Sequence, residues 1–125
     1  MKVALYVGIA GAIGALSRVA IGEFLHGLTV FPLATFIANM IGTFLLCLLG
    51  GGLLQRFVQN GTAQTAVTTG FFGSFTTFSA VSMETVDLFQ RGNGMIASSY
   101  LLASVTVGLY LGFVGMRLGR KWVRA

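Results

Sequence analysis

The chain has 125 residues, of which 55% are hydrophobic and 9% charged, with a mean hydropathy of +0.87. Soluble domains carry about 25% charged residues, so a chain this short has too few charges to cover a water-facing surface, and a membrane protein is the expected class. The net charge of +5 does not point to nucleic acid, because the basic residues flank apolar runs instead of forming a polar face.

Four apolar runs follow one another, at residues 3–21, 33–54, 63–86 and 95–116. Each is about 20 residues, the length that crosses a ~30 Å hydrocarbon core as a helix. They predict one all-α domain over residues 1–125 with four transmembrane helices. The first run exceeds the usual apolar core of a signal peptide, lacks a convincing cleavage site and leads into three more runs, so it reads as a retained span. Its pairs Gly8/Ala12 and Gly11/Ala15 would let another helix approach closely. Pro32 suits the start of the second helix. Within "TFIANMIGT", Asn39 has Thr35 and Thr43 one turn to either side, giving a polar stripe along one face. An amide cannot satisfy both its donors and its acceptor within its own helix. The stripe is therefore either glue between helices or part of a pathway, and the residues alone leave both open.

Asn60-Gly61 marks a turn before the third run. That run contains "GFFGSFTTFS", with two glycines, four phenylalanines and four hydroxyls in ten residues. Gly70 and Gly73 weaken helix continuity, and Thr76-Thr77 can satisfy freed backbone groups, so a third helix broken near its middle is expected. Carbonyls exposed at such a break suit a cation. The positive ring edges of Phe75 and Phe78, with hydroxyl and amide donors beside them, suit a small hard anion. An aromatic-rich packing helix is the alternative. In the fourth run Tyr100, Ser104 and Gly108 share a face, as donors along a track or as a packing surface with Tyr100 anchored at the interface. Ser104, Gly108 and Gly112 recur every four residues, another close-packing pattern. The tail "RLGRKWVRA" is basic with one Trp and suits an interfacial anchor near anionic lipid. The single Cys47 reads as a small core residue.

With four spans, Lys2, Arg56, Arg117, Arg120, Lys121 and Arg124 fall on one side of the membrane, and Arg18 and Arg91 toward the other. The positive-inside rule then places both termini in the cytoplasm. Four short helices leave little interior for a pathway, which favours more than one copy.

Taken in order, "GAIGALSR", "TFIANMIG" and "GFFGSFTTFS" followed by Ser82 and Glu84 resemble the CrcB (Fluc) family of fluoride channels, and the resemblance spans the whole chain. It implies passive fluoride export across the plasma membrane by an antiparallel, dual-topology dimer with two pores. It also implies a structural sodium ion held at the dimer centre by backbone carbonyls, here of Gly73 and Thr76. By the same resemblance Asn39 matches the pore asparagine and Phe78 the first of two pore phenylalanines. Ser79 falls on the hydroxyl track, Tyr100 and Ser104 on pore-lining positions, and Arg18 near an aqueous vestibule. Thr35 and Glu84 match positions near one end of the path, where Glu84 can alternatively serve as a structural acceptor for hydroxyls.

Two departures stand out. The family's second pore phenylalanine is Val81 here, and a position that often carries a hydroxyl is Ala80. Together with the six-to-two split of basic residues, Val81 leans toward a partner that is an oppositely oriented paralogous subunit instead of a second copy, without deciding it. A small dual-topology multidrug exporter is disfavoured, because that mechanism needs a membrane-embedded carboxylate in the first helix. A non-transporting membrane assembly subunit would explain the glycines but not the polar track. An enzyme is not expected: His26 is the only histidine and lies in a loop, with no nucleophile–base pattern near it.

Overall fold

The computed structural model describes residues 1–125, and all of its regular structure is helical. Helix α1 is Lys2–Leu25. Helix α2 starts at Leu33, directly after Pro32, and runs to Phe57. Its α-helical turns give way to a wider π-helical stretch at Leu49–Leu53, the "LGGGL" segment, where Gly52 takes a φ of 112° that only glycine adopts without strain. Helix α3 covers residues 61–75 and is π-helical over Ala66–Phe72. Asn60 caps its start, its side chain accepting from the amides of Thr62 and Ala63. Thr76 and Thr77 are extended, helix α4 follows at Phe78–Gln90, and helix α5 takes Gly94–Arg124.

Three helices, α1, α2 and α5, are long and apolar enough to cross a membrane. The apolar run at 63–86 is instead divided between α3 and α4. Neither piece spans ~30 Å alone: at 1.5 Å per residue α3 rises about 22 Å. The interruption falls after Phe75. Gly70 and Gly73 lie within helical turns, so they do not break the helix where the sequence suggested they would weaken it.

Glycines instead set how closely helices approach. A Cβ on Gly14 would strike the carbonyl of Phe71, and one on Gly70 would lie 2.7 Å from the carbonyl of Val7. These contacts press α1 onto α3, side by side and parallel. Gly11 faces the Ser74 side chain across the same seam, whereas Gly8 of the expected small-residue stripe has open space around it. On the other side of the bundle α2 packs parallel to α5: Gly108 faces Met40, Gly112 faces Cys47, and Gly115 and Gly119 abut the backbone at Phe44 and Leu48.

The core is thin. Only 17 of 125 residues are buried, and seven of them form two small apolar clusters, Val81–Leu88–Ala97–Tyr100 and Ala38–Phe72–Phe75. Leu5, Ile9, Ile13 and Leu16 of α1 are exposed. Such a surface is stable only in a medium as apolar as itself. The chain is a multi-pass membrane protein.

Candidate functional site

The polar residues of α2, α4 and α5 meet in two levels, about one helical turn apart. At the first level Glu84 accepts from the Thr35 hydroxyl (2.7 Å to Oε1) and from the Tyr100 hydroxyl (2.7 Å to Oε2). Tyr100 is 0% exposed, and its ring meets Phe31 edge-on, with centroids 5.2 Å apart. Both carboxylate oxygens thus hold a donor, and both hydroxyls are spent. This is the geometry of the structural acceptor, and a cavity of about 550 Å³ opens beside it toward His26, Asp87 and Arg91.

At the second level lies the helix interruption. The Asn39 side chain pairs with the backbone of Thr77 in both directions: Nδ2 donates to the Thr77 carbonyl at 3.0 Å, and Oδ1 accepts the Thr77 amide at 2.8 Å. An extended residue presents its N–H and C=O side by side, so a primary amide can bond both as a neighbouring strand would. One Nδ2 hydrogen of Asn39 remains for another acceptor. The Thr77 hydroxyl accepts the Ala80 amide at 3.2 Å, capping α4, and lies 3.0 Å from Ser79 Oγ. From the opposite side Arg18 Nε donates to the Ser74 carbonyl at 3.3 Å. Arg18 of α1 and Asn39 of α2 therefore hold the segment around the interruption from two other helices.

Beside this clamp is a cavity of about 370 Å³, lined by Asn39, Thr43, Thr77, Phe78, Val81 and Ser104 among others. Ser104 Oγ is buried and has no hydrogen-bond partner. A buried hydroxyl left unpaired costs about 1–3 kcal/mol, so this one, on a residue of the cavity wall, still lacks the partner its burial calls for.

The residues singled out in the sequence fall into three groups. Asn39, Phe78 and Ser104 line the second-level cavity, and Ser79 touches its rim through the Thr77 hydroxyl. Thr35, Glu84 and Tyr100 form the first level. Phe75 belongs to neither: it is 6% exposed, sits in the apolar core with Ala38 and Phe72, and stacks on Phe71 at 5.6 Å. Its ring packs against Gly42, which explains why a glycine stands there. Phe78 is 70% exposed on this single chain. Val81, at 2% exposure, packs in the core of its own bundle while contributing to the cavity wall. Thr77 was noticed in the sequence only as a residue that can satisfy freed backbone groups. Its pairing with Asn39 links residues 38 positions apart and had no local signature.

Comparison with known proteins gives the same direction throughout. The family model described as "CrcB-like protein, Camphor Resistance (CrcB)" matches residues 5–116. The chain is 39% identical over 117 residues to a Staphylococcus saprophyticus protein named "Fluoride-specific ion channel FluC 2", covering 94% of this chain and 96% of that one. It is 41% identical over 120 residues to the Listeria innocua protein of the same name, covering 96% and 92%. It is 43% identical over 119 residues to the Bacillus cereus "Fluoride-specific ion channel FluC 1", covering 92% and 85%. With an interrupted, side-chain-clamped segment between apolar helices and a match across nearly its full length, the chain belongs to the CrcB-like family.

Proposed function

We propose that this protein is a passive, fluoride-selective channel of the plasma membrane that lowers cytoplasmic fluoride. The observation that carries this reading is the second-level cavity, where the unpartnered Ser104 hydroxyl, the spare Asn39 N–H and the edge-bearing ring of Phe78 converge. Those groups are neutral donors and a positive ring edge. They suit a small, strongly hydrated anion that must exchange water for hydrogen bonds. The names of relatives about 40% identical over most of the chain support the same substrate.

The pathway proposed passes Asn39, Phe78, Ser79 and Ser104 and opens at the mouth shaped by Thr35, Glu84 and Tyr100, toward the same side of the membrane as Arg18. Arg18 raises local anion concentration near its entrance. Glu84 acts there by holding two hydroxyls in place, not by meeting the anion, since like charges repel. The exposed Phe78 favours completion of the path by a second subunit, and an antiparallel dimer, of two copies or of this chain with a paralogue, is part of the proposal. In it α3 and α4 together make the third, broken span, and both termini are cytoplasmic.

A structural sodium ion fits the residues at the interruption. In an unbroken helix the Gly73 carbonyl would receive the Thr77 amide and the Thr76 carbonyl the Ala80 amide. Here the first amide goes to Asn39 and the second to the Thr77 hydroxyl. The two carbonyls are thereby released from the helical ladder, and neutral oxygens are the donors that hard cations take. Gly73 and Thr76 would hold the ion at the dimer centre, where it would join the two subunits by charge without being carried across.

The test is fluoride efflux from liposomes containing only this purified chain, with and without sodium. Electrodiffusive loss of fluoride that persists without a sodium gradient is expected. Absence of flux, both alone and with a paralogous subunit, would overturn the channel reading, and flux that requires a sodium gradient would overturn the structural role of the ion.

A further inference from the structure

We infer that the groove between α2 and α5 is the second half of the ion path, and that the four cations at its end gather fluoride from the water there. This rests on the channel reading and assigns the part that reading leaves open, the way from Ser104 to the membrane face opposite Glu84. The groove has a volume of about 980 Å³ and shares Thr43, Gly108 and Leu109 with the 370 Å³ cavity of Asn39 and Ser104. The two are therefore one continuous space. Gly112 keeps it open: a Cβ there would lie 3.4 Å from Cys47 Sγ and 3.6 Å from Thr43 Cγ2, so a longer side chain would fill the passage between the helices.

Helix geometry gives the path its length. Between Tyr100, at the level of Glu84, and Lys121, helix α5 rises about 32 Å, which matches a hydrocarbon core of ~30 Å. Two rows of residues four apart, Phe113–Arg117–Lys121 and Met116–Arg120–Arg124, carry the groove wall from apolar to basic. No side-chain carboxylate offsets these charges. The protein's one ion pair joins Arg91 to Asp87. Glu84 and Asp87 line the cavity at the other end, and Glu23 lies in the last turn of α1, which ends at that cavity. Cations grouped beside low-dielectric walls focus the field and raise the local concentration of anions. The groove is wide enough for an anion to travel with its water, so nothing along it needs to donate a hydrogen bond. Water is exchanged for protein donors only where the space narrows, at Asn39 and Ser104. The basic end therefore sets how often anions arrive, and the narrow cavity sets which anion passes.

Cys47 tests this, because it is the only cysteine, lines the groove and is half-buried. The purified full chain in neutral detergent is treated with anionic sulfonatoethyl or cationic trimethylammonioethyl methanethiosulfonate. Adducts are followed by intact mass, and each rate is divided by that reagent's rate with 2-mercaptoethanol. The anionic reagent should lead by about tenfold at low salt, and the lead should shrink at 1 M salt, where screening acts within ~3 Å. The combined substitution Arg117→Gln, Arg120→Gln, Lys121→Gln and Arg124→Gln should abolish the lead and slow fluoride efflux several-fold while leaving the preference for fluoride over chloride intact. Wild-type protein carrying the Cys47 adduct, once reconstituted in liposomes, should lose most of its efflux, and the same treatment of Cys47→Ser protein should change nothing. Equal rates for the two reagents, a thiol that reacts with neither because lipid or protein fills the groove, or undiminished efflux with the adduct in place would each overturn the inference. Should the charge-neutral variant fail to fold, the salt series on wild-type protein decides the role of the cations. Efflux that survives the adduct removes this inference alone, whereas untreated protein without efflux removes the channel reading and this inference with it.

Discussion

The two polar levels differ in one respect that bears on function. At the level of Glu84, each hydroxyl has an acceptor and each carboxylate oxygen a donor: Thr35 and Tyr100 are both spent on the carboxylate. One turn away, Asn39 gives both of its polar atoms to Thr77 yet retains one hydrogen, and Ser104 gives nothing to anyone. A closed network fixes geometry, because opening it exposes unpaired groups at membrane depth. An open one is a place where a passing solute can be held briefly. The comparison separates a closed network from an open one among residues that look equally polar in the sequence.

Substitutions can break this division in graded ways. Glu84→Ala should have the largest effect on stability, about 2–5 kcal/mol, because it strands two buried hydroxyls at once; chemical unfolding in detergent micelles measures it. Asn39→Ala should follow at about 2–4 kcal/mol, since the amide and carbonyl of Thr77 both lose their partner, and fluoride efflux should disappear. Asn39→Asp, which keeps the acceptor for the Thr77 amide and loses the donor, should unfold between wild type and Asn39→Ala. Tyr100→Phe should cost about 1–2 kcal/mol, leaving Glu84 with Thr35 alone, and should slow efflux without stopping it. Ser104→Ala should change stability least, by less than about 0.5 kcal/mol in either direction, because no protein hydrogen bond is lost, yet it should cut efflux several-fold. A Ser104→Ala protein that conducts normally would put Ser104 back among packing residues.

Much of this arrangement was legible in the chain itself. Apolar runs of membrane length found α1, α2 and α5, whereas the apolar run at 63–86, expected as one span, is divided between α3 and α4 after Phe75. The cause of the division was misplaced. Gly70 is there because α1 leaves no room for a side chain, and the helix stops instead where the Thr77 backbone finds a better partner in Asn39 than in its own ladder. That choice is made across 38 residues, so no local pattern carries it. Phe75 was misread for a related reason. Ring edges suit an anion wherever they are exposed, but whether this ring is exposed depends on Gly42 of another helix. The run ending at Met116 underestimated α5, which continues to Arg124; Arg and Lys are good helix formers whose long stems reach water while the backbone stays helical. Asn39 itself illustrates the remaining gap. Composition could say that its amide needs partners, and only the fold could say that it spends both atoms on a backbone and still has one hydrogen free.

The close seam between α1 and α3 bears on how the protein is made. Helix α3 is too short to enter a bilayer as an independent span, and it carries Gln64, Thr65, Thr68 and Thr69 on few turns. Its docking face on α1, built at Gly14 and opposite Gly70, is synthesised some fifty residues earlier. The nascent chain therefore has its template in the membrane before the segment that needs it leaves the ribosome. A bulky residue at position 14 would then be felt first during biogenesis, as a chain whose later segments fail to integrate and are cleared by membrane proteases, before any assembled protein exists to be assayed.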